Sequence, residues 1–255
     1  MNIGFIGTGK IAYSVITGIF NSNIAYKKII ISPRNQKIAK NLEKESNKIK
    51  IAKNNQEVLN LCDWVFLSVT PEVGKKIIKD LKFKSNQTVI SLISTINLKQ
   101  LKKAIKVKVK LVRAIPLPPI SLKKGPIPIF PPNKKVKAFF NKIGTTIEIK
   151  NENASINFWS TSGMMAPFYE ILRTMTDWLI KKGIKRDNAQ KYITSLFLAL
   201  SEDAANNSKK NLKYLVKESQ TPKGLNEQGV KELSKAGFYK SLEKTLNNIH
   251  KRLSK

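Results

Sequence analysis

The residues of this 255-residue chain whose types and spacing could do chemistry begin at its seventh position, with Gly7-Thr8-Gly9-Lys10-Ile11-Ala12. Two glycines one residue apart, followed by a small residue three further on, match the G-x-G-x-x-G/A pattern of a dinucleotide-binding turn. Each position has a physical task. Gly7 permits a tight turn, Gly9 lets the backbone approach a pyrophosphate, and Ala12 lets a helix pack closely on a strand. Thr8, Lys10 and Ile11 complete the loop, whose helix-end N–H groups would face the phosphates. The loop follows the apolar run Asn2 to Ile6 and opens an amphipathic stretch, which is the context the pattern requires.

About 20 residues after such a loop, NAD-specific folds place an acid on the ribose 2′-hydroxyl. Here the corresponding strand ends in Ser32-Pro33-Arg34-Asn35. No carboxylate stands there to repel a 2′-phosphate, and Ser32 and Arg34 can offer hydrogen bonds and positive charge to one. We therefore expect NADPH in preference to NADH, although Arg34 also reads as a surface residue of a basic protein. Later strand ends carry Val69-Thr70-Pro71 and Ser94-Thr95, where an open α/β sheet receives its ligand. They would line the ribose and nicotinamide; an ordinary strand-exit turn accounts equally well for any single one of them. Thr70, preceding a proline, is biased toward extended backbone.

Other chemistries are poorly provided for. The one histidine, His250, and the one cysteine, Cys62, cannot build a Ser-His-Asp or Cys-His site, an internal disulfide or a Cys/His zinc site. A nicotinamide enzyme needs none of these, because the cofactor brings the hydride. The formal net charge of +30 suggests nucleic acid, but only five of the 47 basic residues are arginine, the usual reader of bases and phosphates. Scattered lysines read better as solvated helix faces in a Lys-, Asn- and Ile-rich composition, and we do not expect a nucleic-acid partner. A basic surface could still attract an anionic ligand. No run approaches the roughly 20 apolar residues of a membrane span, and the opening residues lack a basic leader. We expect a soluble cytoplasmic protein.

The elements that must position the loop follow from the hydrophobic pattern. Strands are predicted at Asn2 to Ile6, Lys28 to Ser32, Ile49 to Ala52, Trp64 to Val69, Thr88 to Leu92 and Lys110 to Ala114, with helices at Ile11 to Phe20, Gln36 to Glu45 and Glu72 to Leu81. Two further strands, near Ile127 to Phe130 and Thr146 to Ile149, flank a short Lys-rich helix and could extend the sheet at one edge. This is the α/β class: a Rossmann-type doubly wound parallel sheet over residues 1–152. From residue 153 to 255 strand signals vanish and an all-α domain is predicted. Phe168, Ile171, Leu172, Met175, Trp178 and Leu179 form one stripe; Ile193, Leu196, Phe197 and Leu200 form another. Leu242, Leu246, Ile249 and Leu253 make a seam. Each reads as core or as a subunit interface, and so small a helical domain favours dimerisation.

Several segments, in order, resemble the pyrroline-5-carboxylate reductase family along nearly the whole chain. Gly7 to Ala12 resembles its cofactor loop, Val69-Thr70-Pro71 its Val-Lys-Pro turn, and Val112-Arg113-Ala114-Ile115-Pro116 its Arg-Ala-Met-Pro segment. Ser162-Gly163 with Ala166-Pro167 resembles Ser-Gly-Ser-Gly-Pro-Ala. Thr221-Pro222-Lys223-Gly224 and Glu232 to Phe238 resemble the Ser-Pro-Gly-Gly-Thr-Thr and Leu-Glu-x-Gly-Gly-Phe pair. The resemblance implies an NADPH-dependent reduction of a small anionic cyclic imino acid, pyrroline-5-carboxylate, to L-proline. It also implies a homodimer or higher homo-oligomer whose subunits complete one another's sites. The substrate carboxylate would be held around Ser162, Gly163, Thr221, Gly224 and Asn226. The chain departs from the pattern at the substrate end, at Leu117, Met164-Met165 and Leu225-Asn226, where the family has Asn, an uninterrupted Ser-Gly-Ser-Gly and Thr-Thr. Reduction of another imine or keto acid, or a noncatalytic NADPH-binding role, are the alternative readings.

Overall fold

The computed structural model describes residues 1–254, which divide into two compact units after Ser155. The first runs β1 (Ile3–Ile6), α1 (Lys10–Phe20), β2 (Ile29–Ile31), α2 (Gln36–Glu45), β3 (Ile49–Ile51), α3 (Asn55–Leu61), β4 (Trp64–Leu67), α4 (Pro71–Ile77), β5 (Thr88–Ser91), α5 (Leu98–Ala104), β6 (Lys110–Ala114), β7 (Pro126–Phe130), α6 (Lys134–Phe140) and β8 (Thr145–Glu148). The strands form one sheet in the order β3-β2-β1-β4-β5-β6-β7-β8, parallel throughout except where β7 runs against β6. Strand order reverses at β1, so the loop that follows it sits at the topological switch point of the sheet, where open α/β folds receive ligands.

Both faces of the sheet are covered, which is why its strands read as continuous apolar runs. On one face Phe5 of β1 stacks on Phe66 of β4 at 4.7 Å between centroids, and Phe139 and Phe140 of α6 close over Phe66. On the other, Ile6, Val65 and Leu67 meet Val58 of α3 and Leu101 of α5. Burying each such side chain contributes about 1.5–3 kcal/mol before entropy is counted. Two glycines set how closely helices approach. A Cβ on Gly4 would lie 2.6 Å from Val58 and 2.9 Å from the Cys62 sulfur, and one on Gly18 would lie 2.5 Å from the Ile120 carbonyl oxygen. The Pro-rich stretch is therefore ordered, with its short 3-10 turn Pro118–Leu122 pressed on the back of α1. Cys62 is buried, and burial, with Asp63 adding to it, pushes its thiol up to about 12.

The strand predictions hold to within two residues at each end, and β7 and β8 do extend one edge. The helix predicted over Glu72 to Leu81 ends instead at Ile77, and a 3-10 turn over Ile78–Asp80 carries Ile78 into the core. Helices α3 and α5 lie outside the predictions. Each has a side-chain cap, from Asn54 to the Glu57 amide and from Asn97 to the Gln100 amide, the second a complete capping box.

The second unit is helical: α7 (Ser155–Ser162), α8 (Met165–Lys181), α9 (Arg186–Asn206), α10 (Leu212–Glu218), α11 (Leu225–Lys235) and α12 (Phe238–Leu253). Among its described residues only Ala189 and Ile193 are buried apolar side chains. In the predicted stripes Ile193 is covered and the rest are half-covered or exposed, Trp178 to 58% and Leu200 to 56%. No helix among the described residues is long and apolar enough to cross a membrane.

Candidate functional site

The loop between β1 and α1 is shaped by what its glycines avoid. Gly7 has φ +101°, and a Cβ there would lie 2.6 Å from the Ser68 carbonyl oxygen, so only glycine fits. Gly9 is the opposite case: a Cβ on it would meet nothing within 4 Å. The space beside Gly9 is open, and α1 starts there with no capping side chain and no acidic residue in its first turn. The amides of Lys10, Ile11 and Ala12 find no acceptor among the described residues. An uncapped helix start with free N–H groups and the positive end of the helix dipole favours an anion. Thr8 and Ala12 are buried and Lys10 is exposed. This open, donor-rich turn fits the pyrophosphate of a dinucleotide.

Ser32 stands differently from the expectation. It is fully buried, and its Oγ accepts the Gly7 amide at 2.9 Å, while Thr8 Oγ1 donates to the Ser32 carbonyl at 2.7 Å. With the Thr8 proton committed to that carbonyl, the 3.2 Å contact between the two hydroxyls leaves Ser32 as the donor. Ser32 thus braces the glycine loop and does not present its hydroxyl at the surface. Arg34 is exposed and has no carboxylate partner among the described residues; Asn35 takes a left-handed backbone and caps α2 through the Ile38 amide.

Because β1, β4 and β5 are parallel neighbours, their carboxyl ends lie together. Ser68, after β4, donates its hydroxyl to the Gly7 carbonyl at 2.7 Å, a second brace on the loop. Val69 then lies against Gly7, Thr70 is exposed with extended backbone, and Pro71 opens α4. After β5, Ser94 is half-buried and Thr95 exposed. The Ser94 carbonyl accepts a bond from the Arg113 guanidinium of β6, which also pairs with Glu152. Glu152 in turn accepts the Leu98 amide at 2.7 Å. Burial lowers the Arg113 pKa, opposed by the Glu152 carboxylate. Sequence reasoning missed Ser68 and Glu152 as parts of this region, and used Arg113 only as part of a motif.

In the helical unit, Thr221 and Gly224 form one tight turn, in which a Cβ on Gly224 would lie 2.2 Å from Thr221 Oγ1. Lys223 between them has φ 62°. Gly224 is the N-cap of α11, and Glu227, three residues on, accepts the Lys223 amide at 2.6 Å and the Lys231 ammonium. The Lys231 hydrogen bond and then the Lys223 amide hold the Glu227 carboxyl below its ordinary range. Asn226 spends one amide proton on the Ser219 carbonyl, and Leu225 beside it is 87% exposed. A cavity of about 790 Å³ adjoins the turn, lined by Asn211, Val216, Gln220, Thr221, Pro222 and Glu227 among others. Ser162 and Gly163 make their contacts elsewhere, Ser162 with the Phe158 carbonyl and Gly163 against Ile249 of α12.

Comparison with known proteins agrees with this division. Residues 2–97 match the family model for the NADP oxidoreductase, coenzyme F420-dependent domain, and residues 156–255 match that for pyrroline-5-carboxylate reductase dimerisation. Residues 156–255 belong to the pyrroline-5-carboxylate reductase dimerisation family. Among the chain's relatives, the pyrroline-5-carboxylate reductase of Vibrio alginolyticus is 25% identical over 87% of this chain and 85% of that protein. The solved pyrroline-5-carboxylate reductase of Coxiella burnetii superposes with TM-score 0.85 at 21% identity, covering 99% of this chain and 97% of that one. The Plasmodium falciparum pyrroline carboxylate reductase, solved with NADP bound, gives 0.83 at 20% identity over 99% and 97%. The reductase family's order of parts, a parallel-sheet nucleotide-binding unit and then a helical dimerisation unit, is the order found here.

Proposed function

We propose that the chain reduces pyrroline-5-carboxylate to L-proline with NADPH. The observation that carries the proposal is the open, uncapped start of α1 at Gly9, beside a Gly7 turn braced by Ser32 and Ser68. Gly7, Thr8, Gly9, Lys10, Ile11 and Ala12 would hold the pyrophosphate. Arg34 would meet the 2′-phosphate, and Ser32 would serve indirectly by fixing the loop. Val69, Thr70, Pro71, Ser94 and Thr95 would border the ribose and nicotinamide. The NADP oxidoreductase match of residues 2–97 and the NADP-bound relative support the choice of cofactor.

When bound, the cofactor supplies hydride to the carbon of a C=N bond. The protein's share is orientation and polarity, and holding reacting atoms near 3–3.5 Å apart can account for about 7–11 kcal/mol of barrier lowering. Thr221, Gly224 and Asn226 would hold the substrate carboxylate; Ser162 would join them only by releasing the Phe158 carbonyl, and Gly163 only by releasing that of Ser160. The second Asn226 amide proton and the α11 amides are the donors available for it. Uncovered apolar side chains on α8 and α9 support assembly as a homodimer through the helical unit.

The test is NADPH oxidation by purified protein with pyrroline-5-carboxylate and pyrroline-2-carboxylate side by side, and NADH as a control. Turnover of the first with NADPH is the expected result. Turnover of the second alone would reassign the substrate, and NADPH binding without turnover of either would turn the reading toward another imine, a keto acid or a noncatalytic role.

A further inference from the structure

Among the described residues Arg113 is the one buried cation, on a strand whose other buried residues are Leu111, Val112 and Ala114. Its backbone pairs with Ser91 of β5 and Phe130 of β7, in the interior of the sheet. Its guanidinium reaches the Ser94 carbonyl and the Glu152 carboxylate, while Glu152 accepts the amide of Leu98, the first residue of α5. One ion pair therefore grips the turn between β5 and α5 at both ends, at Ser94 and at Leu98. The exposed Thr95 lies between the two grips.

Stability alone is a weak reason for such a pair. Removing two charges from water costs several kcal/mol per ion, and well-packed apolar residues of similar volume often do as well. What apolar packing cannot do is bind a specific carbonyl and a specific amide at once and so dictate the path of the chain between them. We propose that Arg113 and Glu152 are positioning residues for the nicotinamide end of the cofactor, acting by setting the shape of the Ser94-to-Asn97 turn. The proposal rests on the reading that this edge of the sheet takes NADPH. It does not depend on which imine is reduced.

The test compares two ligands on the wild-type protein and on Arg113→Met, Arg113→Lys and Glu152→Gln. NADPH carries the nicotinamide ring and is followed by its own fluorescence; 2′,5′-ADP carries only the adenosine end and is followed by displacement. Thermal unfolding is recorded on the same samples. The expected result is a loss of about tenfold or more in NADPH affinity, with 2′,5′-ADP changed less than about twofold and the emission of bound NADPH shifted toward that of the free cofactor. Arg113→Lys, which keeps the charge but loses the fixed fork of the guanidinium, should fall between wild type and Arg113→Met. A proportional loss for both ligands that follows the fall in Tm would show a merely structural pair and overturn the proposal, as would unchanged affinity for both. If Arg113→Met does not fold, Glu152→Gln decides alone. Failure of the wild-type protein to bind NADPH would instead overturn the cofactor assignment itself, and this proposal with it.

Discussion

Ser32 Oγ accepts the Gly7 amide at 2.9 Å, tying the end of β2 to the turn after β1. The bond is fully buried, so removing the acceptor leaves a donor unpaired away from water. Ser32→Ala should cost about 1–3 kcal/mol, read as a fall in Tm. It should weaken NADPH and NADH in similar proportion, because the loop is proposed to hold the pyrophosphate common to both. Arg34→Ala should do the reverse, leaving Tm unchanged and lowering the preference for NADPH over NADH about tenfold. A Ser32→Ala variant that loses only NADPH binding would return Ser32 to direct contact with the 2′-phosphate.

Gly7 and Gly9 should separate stability from binding. Gly7→Ala forces a Cβ onto the Ser68 carbonyl at positive φ and should destabilise by about 1–3 kcal/mol. Gly9→Ala meets no atom in the protein and should leave Tm nearly unchanged, within about 0.5 kcal/mol. Its methyl would nonetheless occupy the space assigned to pyrophosphate, so NADPH affinity measured by titration should fall at least about tenfold. Normal affinity in folded Gly9→Ala would place the cofactor elsewhere.

The Glu227 carboxylate gives the Thr221-to-Gly224 turn a dependence on acid. Its pKa is depressed in the folded chain, so its contribution is complete above the ordinary carboxylate range and is lost as pH falls through the depressed value. Glu227→Gln should therefore lower Tm at pH 6 by a small amount that shrinks to nothing in strong acid. The same Tm difference at pH 6 and pH 2 would contradict the assignment. Since the group is exposed, raising salt should also narrow the gap.

Uncovered apolar side chains on the helical unit predict self-association. Trp178→Glu together with Leu198→Glu, both at exposed positions, should convert the oligomer to monomers in light scattering while helical content by circular dichroism is kept. Monomeric wild-type protein at micromolar concentration would count against that surface.

The parts of this arrangement that are local in sequence are legible there. Gly7 to Ala12 announces itself because the turn, the strand before it and the helix after it are contiguous, and β1, β4 and β5 show as apolar runs because both faces of each are covered. The capped helices α3 and α5 had local signals too, in Asn54-x-x-Glu57 and Asn97-x-x-Gln100, which mark helix starts without any apolar stripe behind them. The direction of Ser32 was not legible, since a strand buried on both sides shows no alternation to tell one face from the other. Nor was the Arg113 to Glu152 pairing, whose partners are 39 residues apart, one on β6 and the other in a 3-10 turn beyond β8.

Cys62, packed under Gly4 with its thiol pushed up to about 12, is the chain's single sulfhydryl. In the native state it is both hidden and protonated, and only a thiolate attacks a disulfide reagent. The protein thereby carries its own clock: the rate at which a chromogenic disulfide modifies it counts the openings of the sheet unit alone. Because the helical unit has no thiol to add to the signal, that rate, taken with and without NADPH, would report whether the proposed cofactor steadies the unit assigned to it.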